Sequence, residues 1–299
     1  MAANITIDKL SKRYAHASTY ALHNLSLSIN AGEVYGFLGA NGAGKSTTIR
    51  TLLNFIQPTK GTATIMGHDI LTSSAAARRH VGYLAGEIAL YGKMTGQQFL
   101  DYMSGLQPLK HPDYLPKLAE RFQAQLDEPI KTLSKGNRQK IGLLQAFMHE
   151  PEVIILDEPT SGLDPLMQEA FFTLVREVTE RGASVFASSH NFAEVQRMCD
   201  RVGFIREGKL IAEQTLADLA QKATHTFVIT FTDPVPLTAL QHITHAEVTA
   251  HTDHSATISM TGELTPLFAI LAKHHVTRME QQEVNLEQEF LRFYGKEQS

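Results

Sequence analysis

Gly39-Ala-Asn-Gly-Ala-Gly-Lys-Ser46 fits the pattern G-x-x-x-x-G-K-[ST] without a gap or a mismatch. Its three glycines let the backbone curl until successive N–H groups point into one concavity that suits phosphate oxygens. Lys45 adds a positive charge for the terminal phosphates of a nucleotide, and the Ser46 hydroxyl is placed to ligate Mg²⁺. The stretch predicts a nucleoside triphosphate site, without indicating how the energy is used.

The residues on either side of this loop supply the strand and the helix that such a site needs. The segment 33–38, Glu-Val-Tyr-Gly-Phe-Leu, is typical of a buried strand entering the loop. After the loop, Ile49, Leu52, Leu53 and Ile56 recur at the spacing of a helix with one apolar face. This order favours a genuine phosphate site over a chance match in a glycine-rich turn.

A second stretch, Val153-Ile-Ile-Leu-Asp-Glu158, runs from four apolar residues into two carboxylates. The apolar run predicts a central parallel strand buried on both faces, and ligands bind at the carboxyl end of such strands. Asp157 can hold Mg²⁺, and Glu158 can orient or deprotonate the attacking water. A surface acidic pair is the alternative, and it fits poorly behind so apolar a strand.

Three further residues are candidates for contacting the nucleotide, and each has a plainer alternative. His190 follows a predicted strand at 183–189, where it can contact a terminal phosphate, although a lone histidine is usually structural. Ser134 is a good cap for a helix whose N-terminus can hold an anion, or for an ordinary capped helix. Tyr14 fits a core or loop aromatic, or a face on which adenine stacks.

Composition sets the broad class of the protein. The 299 residues are enough for one large or two ordinary domains, and the single cysteine, Cys199, allows no internal disulfide, which fits a reducing compartment. We expect no signal peptide and no membrane span. The net charge of −4 lies entirely in the last 80 residues, and no basic stripe points to nucleic acid.

A change of character near residue 220 predicts two domains. We expect a nucleotide-binding domain at 1–219, with a helical subdomain at about 88–150, and a small α+β domain at 220–299. In the second domain the pattern predicts four strands, at 227–231, 246–252, 255–261 and 275–284. It also predicts two helices, at 266–273 and 286–294.

Four segments occur in an order that resembles the nucleotide-binding domain of ABC transporters, over about residues 3–218. These are 39–47, Leu133-Ser-Lys-Gly-Asn137, the stretch from Leu156 to Pro165 and Ser188-Ser-His190. The subtype is similar to the stand-alone ATPase subunits of drug, antibiotic or polysaccharide exporters. The resemblance implies an α/β fold, a P-loop NTPase core of the ABC ATPase type with an inserted helical subdomain.

The resemblance also implies roles for the matching positions. Lys45 and Ser46 belong to the Walker A motif, Asp157 to Walker B, and Glu158 and His190 match the catalytic glutamate and the switch histidine. Asp157 and Ser46 are the expected Mg²⁺ ligands. The expected nucleotide contacts are Tyr14, Gly39, Asn41, Gly42, Ala43, Gly44, Lys45, Ser46, Thr47, the signature residues Ser134 and Gly136, and Asp164.

At the level of function, the resemblance implies an ATP-hydrolysing subunit that uses ATP and Mg²⁺. Two copies would close head to tail on two ATP molecules and drive a separate transmembrane permease, with the helical insertion at 91–131 as the coupling surface. The protein would be cytoplasmic and peripheral on the inner face of the membrane. Export, as opposed to import, is implied by the resemblance alone.

The sequence departs from the family pattern at two places. The signature has Lys135 and Asn137 where Gly and Gln are commoner. The glutamine expected after the strand at 81–84 is replaced by Gly86, followed by Glu87, which is a hypothetical substitute. In the family that glutamine contacts Mg²⁺ or the attacking water and links the site to the membrane subunit.

Two other functional classes stay open on the sequence. An ABC ATPase acting on nucleic acid or ribosomes would carry a long coiled coil, zinc modules or a second ATPase domain, whereas Lys45 and Asp157 are 112 positions apart and one Walker A motif is present. A binding-only regulator is supported by the missing glutamine alone. Seven of the fourteen histidines lie after residue 220, but no cysteine supports a metal site there, and dimer or permease contacts are the favoured role.

Overall fold

The computed structural model describes residues 3–222 and 224–282, in two compact units, Met1–Glu213 and Gln214–Ser299. The division lies six residues before the boundary that the sequence suggested, because the short helix after residue 215 is grouped with the second unit. Each unit has a sheet and a hydrophobic core of its own.

In chain order, the strands are β1 (Ala3–Lys12), β2 (Leu22–Asn30), β3 (Val34–Leu38), β4 (Lys60–Ile65), β5 (His68–Asp69), β6 (Val81–Leu84), β7 (Val153–Asp157), β8 (Ser184–Ser189), β9 (Arg201–Arg206), β10 (Lys209–Thr215), β11 (His225–Phe231), β12 (Ala246–Thr252), β13 (Ser255–Met260) and β14 (Val276–Gln281). The helices are α1 (Lys45–Leu52), α2 (Ser74–Arg79), α3 (Gly96–Leu106), α4 (Tyr114–Arg121), α5 (Lys135–Phe147), α6 (Pro165–Glu180), α7 (Phe192–Met198), α8 (Leu216–Lys222), α9 (Leu237–Gln241) and α10 (Thr265–Leu271), with a short 3₁₀ turn at Ile130–Thr132.

A six-stranded sheet in the order β10-β9-β3-β8-β7-β6 forms the centre of the first unit. Five of these strands, β9, β3, β8, β7 and β6, pair in parallel, and every residue of β3, β7 and β8 is buried. Strands covered on both faces need continuous apolar runs, which explains the composition of 34–38 and 153–156. The order places the carboxyl ends of β3, β8 and β7 side by side.

A second sheet of the first unit, in the order β2-β1-β4-β5, is antiparallel and alternates buried and exposed residues. Its buried side chains, such as Ile5, Leu25 and Ile65, share one core cluster with Tyr35 and Ile49 of the parallel-sheet region. Helix α1 is therefore packed at the centre of this unit, which fixes the loop that precedes it.

The helical insertion between β6 and β7 consists of α3, α4, the 3₁₀ turn and α5. Helix α3 begins with a capping box, in which Thr95 accepts from the Gln98 backbone N–H and the Gln98 side chain accepts from the Thr95 N–H. Helix α5 begins after Ser134, whose Oγ accepts from the Asn137 N–H at 3.1 Å. The sequence-based prediction of this cap is confirmed.

After α8, the second unit has a β-α-β-β-α-β chain order with its strands arranged β12-β13-β11-β14, all antiparallel. This is the split β-α-β, or ferredoxin-like, topology. Its core contains apolar side chains from β11, β13 and α10, including Phe227, Ile229, Ile258 and Leu267. The prediction of a small α+β fold is confirmed for the described residues.

Some predicted boundaries are wrong or untested. Helix α1 ends at Leu52, and Ile56 lies beyond it, because Asn54 adopts a left-handed backbone with φ of 55°. The predicted helix at 286–294 lies outside the described residues. Within the described residues, no helix is both long and apolar enough to cross a membrane.

Candidate nucleotide site

The loop between β3 and α1 requires glycine at two positions for lack of space. A Cβ on Gly39 would lie 2.4 Å from the Ile205 carbonyl oxygen, and one on Gly44 would lie 2.8 Å from that of Ala21. Gly44 also has φ of 116°, which L side chains rarely adopt. The loop is therefore held tightly against β9 and the start of β2, with its amides at the N-terminus of α1, where an anion is favoured.

Lys45 is buried at the start of α1, directly after this loop, with 5% of its surface exposed. Its Nζ donates to the carbonyl oxygens of Gly39 at 2.7 Å and Ala40 at 3.2 Å, and lies 3.9 Å from Glu158 Oε1. Burial lowers the pKa of Lys45, while Glu158 and then Asp157 act in the opposite direction. The ammonium is thus fixed over the loop, between backbone oxygens and a carboxylate.

Asp157, at the end of β7, is buried and oriented by its neighbour on β8. Ser188 pairs with it across the two strands, and the Ser188 Oγ donates to Asp157 Oδ1 at 2.5 Å. The other oxygen, Oδ2, lies 3.5 Å from the position that a Cβ on Gly86 would occupy. One carboxylate oxygen is therefore bound to serine, and the other faces the loop after β6.

Glu158 leaves the strand with a left-handed backbone, at φ of 50°. Its N–H donates to the Ser188 carbonyl at 3.1 Å, and its Oε1 lies 3.1 Å from His190 Nδ1. About 31% of the Glu158 side chain and 57% of the His190 side chain are exposed. Since Oε1 also approaches Lys45, one carboxylate links the glycine loop to the residue after β8.

Two small cavities lie where these elements meet. One, of about 160 Å³, is lined by Ala21, Asn41, Gly42, Gly44, Lys45, Ser46, Thr47 and Glu158. The other, of about 250 Å³, is lined by Ser46, Arg50, Tyr83, Ala85, Gly86, Glu87, Asp157 and Glu158. Ser46 and Glu158 border both, and the hydroxyl and carboxylate oxygens of the second cavity are the hard ligands that Mg²⁺ prefers, so the residues present fit this ion.

Tyr14 lies beside the glycine loop and the first turn of α1. Its ring is 41% exposed, its hydroxyl is 3.4 Å from Thr47 Oγ1, and Lys12 Nζ lies 5.4 Å from the ring centre. With Gly42 it borders a cavity of about 640 Å³. The alternative that Tyr14 is a core residue is therefore wrong, and its exposed ring lies beside the glycine loop.

The signature residues lie beside the turn that follows Glu158, and they border neither of the two cavities. A Cβ on Gly136 would lie 2.7 Å from the Gly162 carbonyl oxygen, and Asp164 caps α6 by accepting from the Met167 N–H at 3.0 Å. Neither residue, nor Ser134, is among the described residues that line the two cavities at the glycine loop. One chain therefore carries two separate sets of candidate nucleotide contacts.

The sequence patterns assign no role to several residues of the site. Arg50 and Tyr83 belong to none of the matching segments, and Ser188 lies in one of them without an assigned role. Arg50 stands four residues after Ser46, on the same face of α1. Asn137 is buried, and its amide pairs with the backbone N–H and carbonyl of Gln125 at 2.9 and 2.8 Å. Asn137 is thus used inside the helical insertion.

Comparisons with known proteins show the family of the chain. Residues 22–161 match the family model described as ABC transporter. The chain is 36% identical over 225 residues to the probable multidrug ABC transporter ATP-binding protein YbhF of Escherichia coli; the match covers 73% of this chain and only 38% of that longer protein. It is 32% identical over 298 residues to the linearmycin resistance ATP-binding protein LnrL of Bacillus subtilis, covering 94% and 96% of the two chains.

Solved structures show the same fold for the first unit. An ATP-binding subunit of an ABC transporter superposes with a TM-score of 0.68 at 30% identity, over 72% of this chain and 91% of the other. A dimeric bacterial ABC transporter cassette superposes with a TM-score of 0.65 at 21% identity, over 71% and 98% of the two chains, and supports the fold alone. The predicted P-loop NTPase core is confirmed, and the chain belongs to the family of ABC transporter ATP-binding proteins.

Proposed function

We propose that this protein is the ATP-hydrolysing subunit of an ABC exporter and drives a separate transmembrane permease. The observation that carries the proposal is the set of contacts around Glu158, whose Oε1 lies 3.9 Å from Lys45 Nζ and 3.1 Å from His190 Nδ1 at the carboxyl edge of the parallel sheet. The relatives that support transport are those whose names include multidrug transport, linearmycin resistance and bacitracin transport.

Different residues of one chain bind the phosphates, the base and Mg²⁺, and others act on the attacking water. The loop amides and Lys45 hold the phosphates, and the Tyr14 ring supports the base, with Asn41, Ala43 and Thr47 as further contacts. Mg²⁺, when bound by Ser46 and Asp157, supplies charge neutralisation of the phosphates. Glu158 orients the attacking water and accepts its proton, while His190 holds Glu158 in place and can turn towards the terminal phosphate.

The two separate sets of contacts support a head-to-tail homodimer. Ser134 and Gly136 begin a helix with no acidic residue in its first turn, which leaves the positive end of the helix free to face an anion. Since these residues do not border the cavities of their own chain, the ATP that they contact would be held by the second copy, beside that copy's Asp164. ATP then closes the dimer and hydrolysis opens it.

Exposed aromatic side chains on the helical insertion and after α1 mark the surface that the permease would contact. Tyr91 packs edge-on against Tyr102, with ring centres 5.9 Å apart, and both rings are about half exposed. Phe55, also exposed, packs edge-on against Tyr83, which borders the cavity of Asp157. A permease segment on this surface would sense the site through Tyr83 and would hold the protein on the inner face of the membrane.

The division of labour within the chain is also proposed. Residues 1–219 bind and hydrolyse ATP, with the helical subdomain at about 88–150 as the coupling element, and residues 220–299 form an accessory domain that stabilises the dimer or contacts the permease. The apolar core of the second unit and its exposed histidines fit a role in packing.

The test uses tagged Glu158→Gln protein, trapped with Mg-ATP in its native membranes, solubilised and purified. Recovery of a polytopic membrane protein that is released when ATP is removed supports the proposal. Recovery of ribosomes or DNA without a membrane protein contradicts it. In parallel, the purified chain should hydrolyse ATP, and Glu158→Gln and His190→Ala should lower the turnover rate by about 100-fold or more while ATP still binds.

A further inference from the structure

We propose that Glu87 is a ligand of the divalent cation, acting through a bound water, and that it replaces the glutamine that the sequence lacks at position 86. The inference rests on the proposed ATP site and adds to it Glu87, which lies outside the four segments that match the family. It is carried by the geometry of the second cavity, of about 250 Å³, where Glu87 lines the same space as Ser46, Asp157 and Glu158.

Gly86 opens this space. A Cβ at position 86 would lie 3.3 Å from the Asp157 carbonyl oxygen and 3.4 and 3.5 Å from its carboxylate Cγ and Oδ2. The backbone after β6 therefore runs directly against the Asp157 carboxylate. With no side chain at 86, the cavity beside Oδ2 is left to the next residue, Glu87, which is exposed and borders it.

Asp157 and Ser46 offer few donors to a cation. Ser188 donates to Asp157 Oδ1, which leaves Oδ2 and the Ser46 hydroxyl as the donors of these two residues that face the second cavity. Mg²⁺ keeps several waters when proteins bind it, and those waters need acceptors. An outer carboxylate that accepts from a cation-bound water raises the affinity of the site, and its loss typically costs about 10–100-fold.

The charges on the cavity wall make the sign of the effect predictable. Asp157, Glu158 and Glu87 are negative, and Arg50 from α1 is the cation that borders the same space. No ion pair within 4 Å joins Arg50 to Glu87 in the described part of the chain, so the Glu87 carboxylate is not neutralised by it. Without a cation, the Glu87 charge repels the phosphates of ATP, whereas with one it stabilises the cation–ATP complex.

The experiment compares ATP binding with and without the cation. Full-length Glu158→Gln protein is used because it turns over slowly. The Kd of a fluorescent ATP analogue is measured in EDTA and in about 5 mM Mg²⁺. The Kd in EDTA divided by the Kd in Mg²⁺ gives the contribution of the cation to binding. Glu87→Gln should lower that ratio about tenfold, while binding in EDTA stays equal or tightens. Arg50→Gln, which removes the opposing charge, should raise the ratio. Glu180→Gln, at an exposed site that borders neither cavity, is the matched control and should change nothing.

Three results would overturn the inference. An unchanged ratio in Glu87→Gln and in Glu87→Ala removes Glu87 from the cation site and leaves the proposed function intact. Equal weakening in EDTA and in Mg²⁺ indicates a merely structural residue, with the same consequence. Absence of nucleotide binding by the parent protein under both conditions contradicts the proposed function itself, and the inference with it.

Discussion

Two histidine–carboxylate pairs, one in each unit, have the same separation and very different surroundings. His190 Nδ1 lies 3.1 Å from Glu158 in the first unit, and His275 Nδ1 lies 3.1 Å from Asp233 in the second. Glu158 is also close to the buried Lys45, whereas His275 and Asp233 are 86% and 58% exposed. The distance between two side chains therefore says little about function until the burial around them is known.

The same contrast holds for the whole of the two units. Within the described residues, every buried polar or charged side chain lies between residues 11 and 189, among them Lys45, Asp157 and Ser188. The second unit, where described, buries apolar side chains and leaves its charged groups at the surface. Burying polar groups costs free energy unless they are paired. Lys45, Asp157 and Ser188 are both buried and hydrogen-bonded, which supports the first unit as the place of the proposed chemistry.

Among the substitutions that test the contrast between the two units, Lys45→Ala should have the largest effect on ATP binding and turnover. Loss of its charge-assisted contacts to phosphate should weaken ATP binding about 100-fold or more and abolish turnover. Burial lowers the pKa of Lys45, so its charge adds no net stability to the fold. Any fall in Tm should come from the lost hydrogen bonds to Gly39 and Ala40 and should be small. Isothermal titration and thermal denaturation measure the two quantities, and Lys117→Ala, an exposed lysine on α4, is the control. ATP binding by Lys45→Ala at the parent affinity would contradict the site.

Next in size is the effect of Ile229→Ala in the second unit. This side chain is fully buried on β11, so its truncation should lower the unfolding free energy of that unit by about 3 kcal/mol, leaving ATP affinity within about twofold. Urea denaturation followed by limited proteolysis reports the unit that unfolds. Val228→Ala, on the opposite face of the same strand, should cost less than about 1 kcal/mol. A loss of ATP affinity in Ile229→Ala would contradict the expectation that the second unit takes no part in ATP binding.

Asn137→Ala should have a smaller effect, confined to the first unit. It removes the two hydrogen bonds to the Gln125 backbone and should destabilise the fold by about 1–2 kcal/mol, measured by chemical denaturation. ATP affinity of the separated subunit should not change, because the amide faces inward. Glu120→Ala, at an exposed position of α4, serves as the comparison. A loss of nucleotide affinity with unchanged stability would assign Asn137 to the ligand instead.

The smallest effect is expected from His275→Ala. An exposed ion pair contributes little, so the unfolding free energy should change by less than about 0.5 kcal/mol and the ATPase rate should stay the same. Differential scanning calorimetry and a steady-state assay check both. A large fall in turnover would show that the second unit takes part in the reaction, and the contrast with His190 would no longer hold.

Local patterns predict the parts of the fold that depend on neighbours in the chain. The apolar run at 153–156 gives β7, the alternation at 227–231 gives β11, and Ser134 caps α5 as expected. The predictions fail where the end of an element depends on a single backbone angle, as at Asn54 after α1. Short elements such as α7 and β9 escape prediction, because a few residues contain too little periodicity to identify them.

The sequence by itself determined which residue types were available to the site: a glycine loop that only glycine can form, a lysine and serine opening a helix, and acids closing an apolar strand. The tertiary structure decided which of them meet. Lys45 and Glu158 are far apart in sequence. They approach because β3 and β7, whose carboxyl ends they follow, lie at the same edge of the sheet with β8 alone between them. It also left Ser134 and Gly136 outside the lining of the two cavities, and turned Asn137 inward. Helix caps, turns and side-chain periodicity depend on a few neighbouring residues, whereas strand order and burial depend on the whole unit.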